Sequence, residues 1–97
     1  MPTAKVTLNG KTLAESDQTI IIEGNHYFPP ESVSTEYFAE NDRQTTCYWK
    51  GVASYFDLYV ESEESDGAAW TYHTPSDAAG RIKDYVAFYR HTVDSIS

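Results

Sequence analysis

Turn-forming residues divide the sequence into short segments that are typical of a β protein. Asn9-Gly10 separates the alternating residues 6–8 from residues 12–15, and Asn-Gly is a strong hairpin signal because both residues tolerate positive φ. A later interruption is Pro29-Pro30. Proline lacks the N–H that strand pairing needs, so the segment before it must end or lie at a sheet edge. The first third of the chain is therefore predicted to form a β-meander.

Residue types further along also favour strands. Three consecutive isoleucines at residues 20–22 predict a strand buried on both faces, because branched side chains suit a pleated sheet better than a helix. Residues 52–60 form the clearest strand, with Tyr55 on one face and Phe56 on the other. Residues 85–89 are predicted to form a closing strand. Continuation of a preceding helix is the alternative, because their spacing also fits a helical face.

Turn and charge signals predict the structure of the remaining segments. Alternation over residues 33–38 favours a strand, with a short helix capped by Ser32 as the alternative. Asn41-Asp42 is expected to form a turn. The acidic residues 61–67 are expected to form a solvated hairpin tip, because like charges resist burial. Residues 78–83 are predicted to form one short helix.

These segments add up to about seven or eight short strands with one short helix near the C-terminus. Strands of this number and length, separated by turns, are typical of a mainly β protein, namely a small antiparallel β sandwich or a partly closed barrel. A chain of 97 residues suffices for one modest hydrophobic core. Residues 1–97 are therefore expected to form a single domain.

The charge balance excludes several classes of partner. Seven Lys and Arg residues against fifteen Asp and Glu residues give a formal net charge of −8, which would repel a nucleic-acid duplex and an anionic membrane surface. No apolar run approaches the roughly 20 residues that a membrane span needs. The start of the sequence also lacks the apolar core of a signal peptide. A cytoplasmic protein without a membrane partner is expected.

The cysteine and histidine content limits metal and thiol chemistry. Cys47 is the single cysteine, so it cannot form an internal disulfide or supply a four-ligand zinc site, and no metal or cofactor is indicated. Lys50, three residues later, would stabilise a Cys47 thiolate if a turn brought the two together. A buried, unreactive cysteine is the alternative. A Cys–His enzyme would need His26, His73 or His91 beside the thiol, and none has a diagnostic spacing.

Four blocks of the sequence resemble the DUF427 family in their order and spacing. They are residues 23–33 (EGNHYFPPESV), 46–55 (TCYWKGVASY), 68–75 (AAWTY, then Pro75 after two further residues) and 86–89 (VAFY). The resemblance extends from about Val6 to Val93. Members of the family usually carry proline after the cysteine, and Tyr48 stands at that position here, which leaves the local backbone freer.

The resemblance implies a small, mostly β fold like the β-tent group. That group includes methionine sulfoxide reductases of the B type and the ligand-binding domain of cereblon. The resemblance implies no settled activity, although some naming schemes attach a nucleotidyltransferase label to the family. The zinc-binding cysteine pairs of those β-tent relatives are missing here, so no metal site is implied.

The matching blocks also contain the aromatic residues that core filling explains least. If these residues cluster, they would make a pocket with flat walls and a few hydrogen-bond donors, which is typical of small-molecule sites. Trp49 and Trp70 would be the stacking walls and Lys50 the charged anchor. The predicted ligand-binding residues are Tyr27, Trp49, Lys50, Tyr55, Trp70 and Tyr72.

Three hypotheses about function follow from these features. The first is a module that binds a heterocycle, a nucleotide fragment or a small anion. The second is an enzyme, either of nucleotidyltransferase type or with Cys47 and Lys50 as its catalytic residues. The third is a protein-interaction module, for which a homodimer is considered because exposed aromatic surface docks partners.

Overall fold

The chain folds into short strands joined by tight turns and brief 3-10 helices. The computed structural model describes residues 3–89, 93 and 95–96. In that part of the chain the strands are β1 (Ala4–Leu8), β2 (Lys11–Ser16), β3 (Ile20–Ile22), β4 (Asn25–Tyr27), β5 (Phe38–Cys47), β6 (Gly51–Val60), β7 (Glu63–Thr71), β8 (Val86–Phe88) and β9 (Ser95–Ile96). The 3-10 helices are Pro30–Ser32, Thr35–Tyr37 and Asp77–Ile82.

The strands form antiparallel sheets that do not close into a barrel. In the described residues, the three-stranded sheet has the order β2-β1-β9, the two-stranded sheet is the hairpin β3-β4, and the four-stranded sheet has the order β5-β6-β7-β8. The predicted class, a mainly β protein of small antiparallel sheets, is confirmed. No helix in the described part of the chain is long and apolar enough to cross a membrane.

The first hairpin forms as its sequence predicts. Asn9 and Gly10 have φ values of 51° and 78°, which are the left-handed conformations that a two-residue hairpin turn requires. The three-stranded sheet buries Val6 and Leu13 in the first core. The same core contains Leu58 and Phe88 from the four-stranded sheet. One face of the larger sheet is therefore covered by the smaller one.

The opposite face of the four-stranded sheet carries a second core. Alternation along β6 places Tyr55 in this second core, while Phe56 packs against the first, as the sequence predicts. Cross-strand partners lie on the same face of a sheet. Trp70, which pairs with Tyr55, and Ala87, which pairs with Trp70, therefore also belong to the second core. The hairpin β3-β4 and the Asp77–Ile82 helix cover these residues. Among the residues that the structure describes, one sheet thus separates two cores.

Two strand predictions are wrong. Ile21 is 60% exposed, because β3 belongs to a two-stranded sheet and packs against the second core through Ile22 on its other face. Residues 33–38 contain the Thr35–Tyr37 helix instead of a strand, so the alternative of a short helix is the correct one, although Ser34 and not Ser32 precedes it and Phe38 begins β5. The N–H of Ser34 donates to the carbonyl of Leu13, so contact with β2 fixes the path of this segment.

One turn prediction is wrong and another is confirmed only in part. Asn41 and Asp42 lie within β5, where residues 42–43 form a bulge, because Asn41 pairs with Tyr55 and Gln44 with Ser54. The hairpin tip predicted over residues 61–67 is present, but its turn is confined to residues 61–62, since β7 already begins at Glu63. Strand pairing uses the backbone alone, so the acidic side chains of residues 63, 64 and 66 stay exposed. The predicted helix after Ser76 is present as a 3-10 helix.

Asp57 connects the three longest strands. Its Oδ1 accepts hydrogen bonds from Asn41 Nδ2 and from the Gly67 N–H, both at 2.7 Å. Asn41 also accepts the N–H of Arg43 through its own Oδ1 at 2.8 Å. One carboxylate therefore holds the bulge of β5 and an irregular stretch of β7, where Gly67 has a φ of 59°. The hydrogen bonds from Asn41 and Gly67 lower the pKa of Asp57.

Replacing Asp57 with alanine is expected to lower the free energy of unfolding by about 1–3 kcal/mol, because hydrogen bonds to a charged group are lost on both sides of β6. Urea denaturation measures this difference. The exposed Asp17 is the matched control, and Asp17→Ala should change stability by less than about 0.5 kcal/mol. Equal effects of the two substitutions would contradict the role assigned to Asp57.

Asp57 should also contribute to the pH dependence of stability. Its pKa is lower in the folded state, so its contribution is fully present above the unfolded value of about 3.9 and is lost as the pH falls through the folded value. Asp57→Asn should therefore flatten the acid limb of the stability curve. Thermal unfolding of both proteins between neutral and acidic pH measures the change, and parallel acid limbs would contradict it.

Candidate functional site

The candidate site begins at the turn of residues 48–50 between β5 and β6. Cys47 pairs with Gly51 at the end of the two strands, so the turn returns the chain over three residues. The Ser76 N–H donates to the Lys50 carbonyl at 2.9 Å, and the Ser76 hydroxyl donates to the Trp49 carbonyl. Ser76 therefore anchors the turn, and although it is the N-cap residue of the helix that follows, its side chain makes no capping hydrogen bond there.

Gly51 allows that anchoring segment to approach. Its φ is 111°, and a Cβ at this position would lie 3.3 Å from the Thr74 carbonyl oxygen and 3.4 Å from the Ser76 nitrogen. Only glycine adopts such a backbone angle without strain. Gly51 thus permits the bend that brings Cys47 and Lys50 together.

Lys50 extends its side chain from this turn into the protein. The residue is 5% exposed, and its Nζ lies 4.9 Å from the centre of the Trp49 ring and 5.9 Å from that of Tyr72. The ammonium also contacts the Glu23 carboxylate. Burial alone would lower the pKa of Lys50, but the hydrogen bond to Glu23 outweighs it and the pKa is raised. The site therefore contains a permanent positive charge.

Glu23 supplies the opposite charge from a different element. It lies in the β3-β4 turn with a φ of 55°, and its side chain is 56% exposed although the ammonium it contacts is buried. Solvent can therefore reach the carboxylate side of this ion pair. We call Glu23, Cys47, Trp49 and Lys50 the Lys50 site.

Cys47 lies partly buried next to the ammonium. Burial raises the pKa of its thiol, but the backbone N–H groups of Trp49 and Lys50 and the Lys50 ammonium oppose this, and the net pKa is lowered. Hydrogen bonds and a positive charge both favour the thiolate. Cys47 is thus an accessible thiol in an environment that promotes its ionisation.

An aromatic cluster lies beneath the Lys50 site. Trp70 Nε1 donates to the Tyr27 hydroxyl at 3.2 Å, and the two rings meet edge to face at 6.2 Å. Trp70 also contacts the Tyr89 ring at 4.5 Å between centroids, and Tyr89 stacks on Tyr55 at 6.4 Å. Edge-to-face and offset contacts of this kind stabilise aromatic groups. The aromatic cluster consists of Tyr27, Tyr55, Trp70, Tyr72 and Tyr89.

Tyr27, Tyr72 and Tyr89 are neutral hydrogen-bonding groups at physiological pH, because the pKa of each is raised. Burial raises the pKa of Tyr72 to about 12 and also raises that of Tyr27. A hydrogen bond with Tyr55, assisted by burial, raises the pKa of Tyr89 to about 12. Arg43 lies 4.5 Å from the Tyr55 ring centre, so a second cation contacts the cluster at its outer edge.

The structure brings the six predicted ligand-binding residues into one group. Four of them belong to the aromatic cluster, and Trp49 and Lys50 adjoin it. The four cluster members are buried, whereas Trp49 is partly exposed. The ring that lies beside the ammonium and can be reached from solvent is therefore Trp49.

The predicted imidazole partners make other contacts. His26 Nδ1 lies 2.9 Å from the Thr19 hydroxyl, and His73 Nδ1 lies 2.9 Å from Asp84 Oδ1. His91 lies outside the described residues. Within the described residues, no three His, Cys, Asp or Glu side chains are grouped to hold a metal ion.

Sequence reasoning missed Glu23 and Ser76 as members of the site. Glu23 begins the first of the blocks quoted above, but nothing in its neighbours indicates that it faces Lys50, 27 residues away. The sequence feature that indicates a turn here is Gly24, and in the structure both Glu23 and Gly24 have positive φ. Ser76 is typical of a helix N-cap in sequence, and its contact with the turn depends on tertiary structure.

Two surface cavities lie away from the Lys50 site. One of about 420 Å³ is lined by apolar residues that include Val33, Phe38 and Phe56. The other, of about 400 Å³, is more polar, and Tyr55 is among its lining residues. None of the other predicted ligand-binding residues lines these two cavities. Both adjoin Phe56 and His73.

The family model described as "Domain of unknown function (DUF427)" matches residues 2–97. The chain belongs to the DUF427 family. No curated protein matches it in a sequence search. The four blocks quoted from the sequence contribute to the Lys50 site and the aromatic cluster, since Glu23, the turn of residues 48–50, Trp70 and Tyr89 each lie in one of them. Tyr48, in the turn of this site, is 97% exposed.

The lowered pKa of Cys47 predicts fast alkylation of the native DUF427 protein by iodoacetamide, with a midpoint of the pH profile below that of an ordinary thiol. Lys50→Met should raise this midpoint and slow alkylation at neutral pH about threefold or more, because one pKa unit changes the thiolate fraction tenfold. Mass spectrometry of timed samples measures the rate.

The matched control is Lys11→Met, which removes an exposed lysine that pairs with Glu61 at 3.9 Å. Its alkylation profile should coincide with that of the unmodified protein. Identical profiles for all three proteins, or resistance of Cys47 until the protein is denatured, would contradict the thiolate assignment.

Proposed function

We propose that this DUF427 protein binds a small anionic ligand at the Lys50 site. The observation that carries the proposal is a buried ammonium group whose carboxylate partner sits on a solvent-exposed turn. A buried charge must be compensated, and a ligand carboxylate or phosphate can take the place of Glu23. The protein would then function as a binding module for a heterocycle, a nucleotide fragment or another small anion.

The surrounding groups suit a ligand with a flat ring. Trp49 presents a partly exposed indole beside the ammonium, so a planar group could stack there while its anionic end contacts Lys50. The buried Trp70, Tyr27, Tyr55 and Tyr72 would support Trp49 from below, and a direct stacking role for Trp70 stays a prediction.

The net charge of −8 favours small anions over large ones. A polyanion would face repulsion from the acidic surface, whereas a single carboxylate or phosphate interacts mainly with the nearest cation. Three compounds therefore distinguish the contributions of ring and charge to binding. Adenosine has only the ring, inorganic phosphate has only the charge, and adenosine monophosphate has both. The monophosphate should bind best, because it has both.

The binding proposal predicts that adenosine monophosphate changes the tryptophan fluorescence of the protein in a saturable manner. Lys50→Met should weaken this binding about tenfold or more, because the buried charge is removed, and Lys11→Met should leave it unchanged. Urea denaturation verifies that both variants fold. Absence of any response to the three compounds would contradict the proposal.

A second substitution tests the displacement of Glu23 directly. Glu23→Gln removes the competing carboxylate, so the affinity for adenosine monophosphate should increase, by about threefold or more. Glu31→Gln changes the same charge at an exposed position and should have no such effect. Equal affinities for the two glutamine variants would show that Glu23 does not occupy the position of the ligand.

The second candidate function is a reaction that uses Cys47 as a nucleophile with Lys50 as the stabilising cation. The lowered pKa of the partly exposed thiol favours it, because the thiolate is the attacking species. Incubation with p-nitrophenyl acetate should then release p-nitrophenol and leave an acetyl group on Cys47. Peptide mass mapping detects this adduct, and Cys47→Ser should prevent it.

The third hypothesis, a protein-interaction module for which a homodimer is considered, stays a prediction. The side chain that could support it is the fully exposed Tyr48, which has the size and polarity of residues that anchor interfaces. Sedimentation across a range of concentrations distinguishes association from a monomer.

A further inference from the structure

We infer that the apolar cavity on the opposite face of the four-stranded sheet binds a small organic cation with an apolar body. The cavity measures about 420 Å³, which is within the range of small-molecule sites. It lies where residues 30–35 cross the sheet face that carries Phe38 and Phe56. We call it the Phe56 groove.

The floor of the Phe56 groove is apolar and firmly held. Phe38 packs edge to face against Phe56 with 5.7 Å between ring centres, and against Phe88 at 5.9 Å. Phe88 is buried in the first core, whereas Phe38 and Phe56 are only partly buried. Val33 and Val86 complete the apolar lining. The remaining ring surface can therefore pack against an apolar group in the cavity.

The polar residues around the groove define the charge of the ligand. Glu40, Asp84 and His73 line the cavity, and no lysine or arginine is among the described residues that do so. Glu40 is exposed and has no salt-bridge partner in the part of the chain that the structure describes. Asp84 contacts His73 Nδ1 at 2.9 Å. Two carboxylates beside an apolar floor attract a cation and repel an anion.

The groove and the Lys50 site are separate. Alternation along β6 places Phe56 and Tyr55 on opposite sheet faces, in contact with different cores. The two sites also differ in sign, since one presents an ammonium and the other carboxylates. Binding at the groove therefore does not depend on the function proposed for Lys50.

A charge series of indole compounds tests this inference. Tryptamine carries a cation, 3-ethylindole is its neutral counterpart, and indole-3-propionate carries an anion. Isothermal titration calorimetry should show that tryptamine binds, that 3-ethylindole binds more weakly and that indole-3-propionate does not bind. Backbone amide shifts in the NMR spectrum should locate tryptamine at residues 33–40 and 56. Failure of tryptamine to bind at millimolar concentration, or equal binding of the three compounds, overturns the inference.

Variants at the rim avoid disturbing the core. Glu40→Gln should weaken tryptamine binding about threefold to fivefold, the range expected for a partly exposed ion pair, whereas Glu63→Gln makes the same charge change at an exposed site on β7 and should have no effect. Thr35→Trp should fill the cavity from its exposed edge and abolish binding. Lys50→Met should leave tryptamine affinity unchanged. Equal effects of the two glutamine variants overturn the inference.

Discussion

The contact between the Lys50 ammonium and the Glu23 carboxylate links parts of the chain that no sheet connects. Glu23 lies in the turn of the two-stranded sheet, and Lys50 ends the turn before β6. Placing an ammonium at 5% exposure costs free energy unless an opposite charge and polarisable rings compensate it. Trp49, Tyr72 and Glu23 provide that compensation. The lowered pKa of Cys47 depends in part on this ammonium, whereas the β3-β4 hairpin is also held over the second core by the buried Ile22 and Tyr27.

The four-stranded sheet separates two environments of different character. One face is covered partly by the three-stranded sheet, and the remainder forms the Phe56 groove. The other carries the aromatic cluster under the Lys50 site. Period-two alternation of side chains makes such a division possible in a small protein, because neighbouring residues of one strand serve opposite faces. Asp57 adds the bonds that hold β5, β6 and β7 together despite their irregular register.

Local patterns predicted those features that depend on neighbouring residues. Asn9-Gly10 specified a hairpin because its backbone angles suit few other residues, and the alternation around Tyr55 and Phe56 specified which faces they would occupy. The same reasoning failed for residues 33–38, whose path is fixed by a hydrogen bond to β2. It also failed at Asn41-Asp42, because turn-forming residues equally suit a bulge when a carboxylate such as Asp57 is available across the sheet.

The sequence by itself determined a mainly β chain of short antiparallel strands, its DUF427 family, and the residue types of a site around Cys47 and Lys50. These features follow from the turn-forming residues, from the alternation of apolar and polar side chains and from the order of the four blocks along the sequence. All three can be identified without knowing which distant segments pack together. Only the tertiary structure decided that Tyr27, Tyr55, Tyr72 and Trp70 would be buried, that Trp49 would remain accessible, and that Glu23 would face the ammonium. The physical reason is that burial and ion pairing depend on which distant segments pack together, and these contacts join residues as far apart as Tyr27 and Trp70.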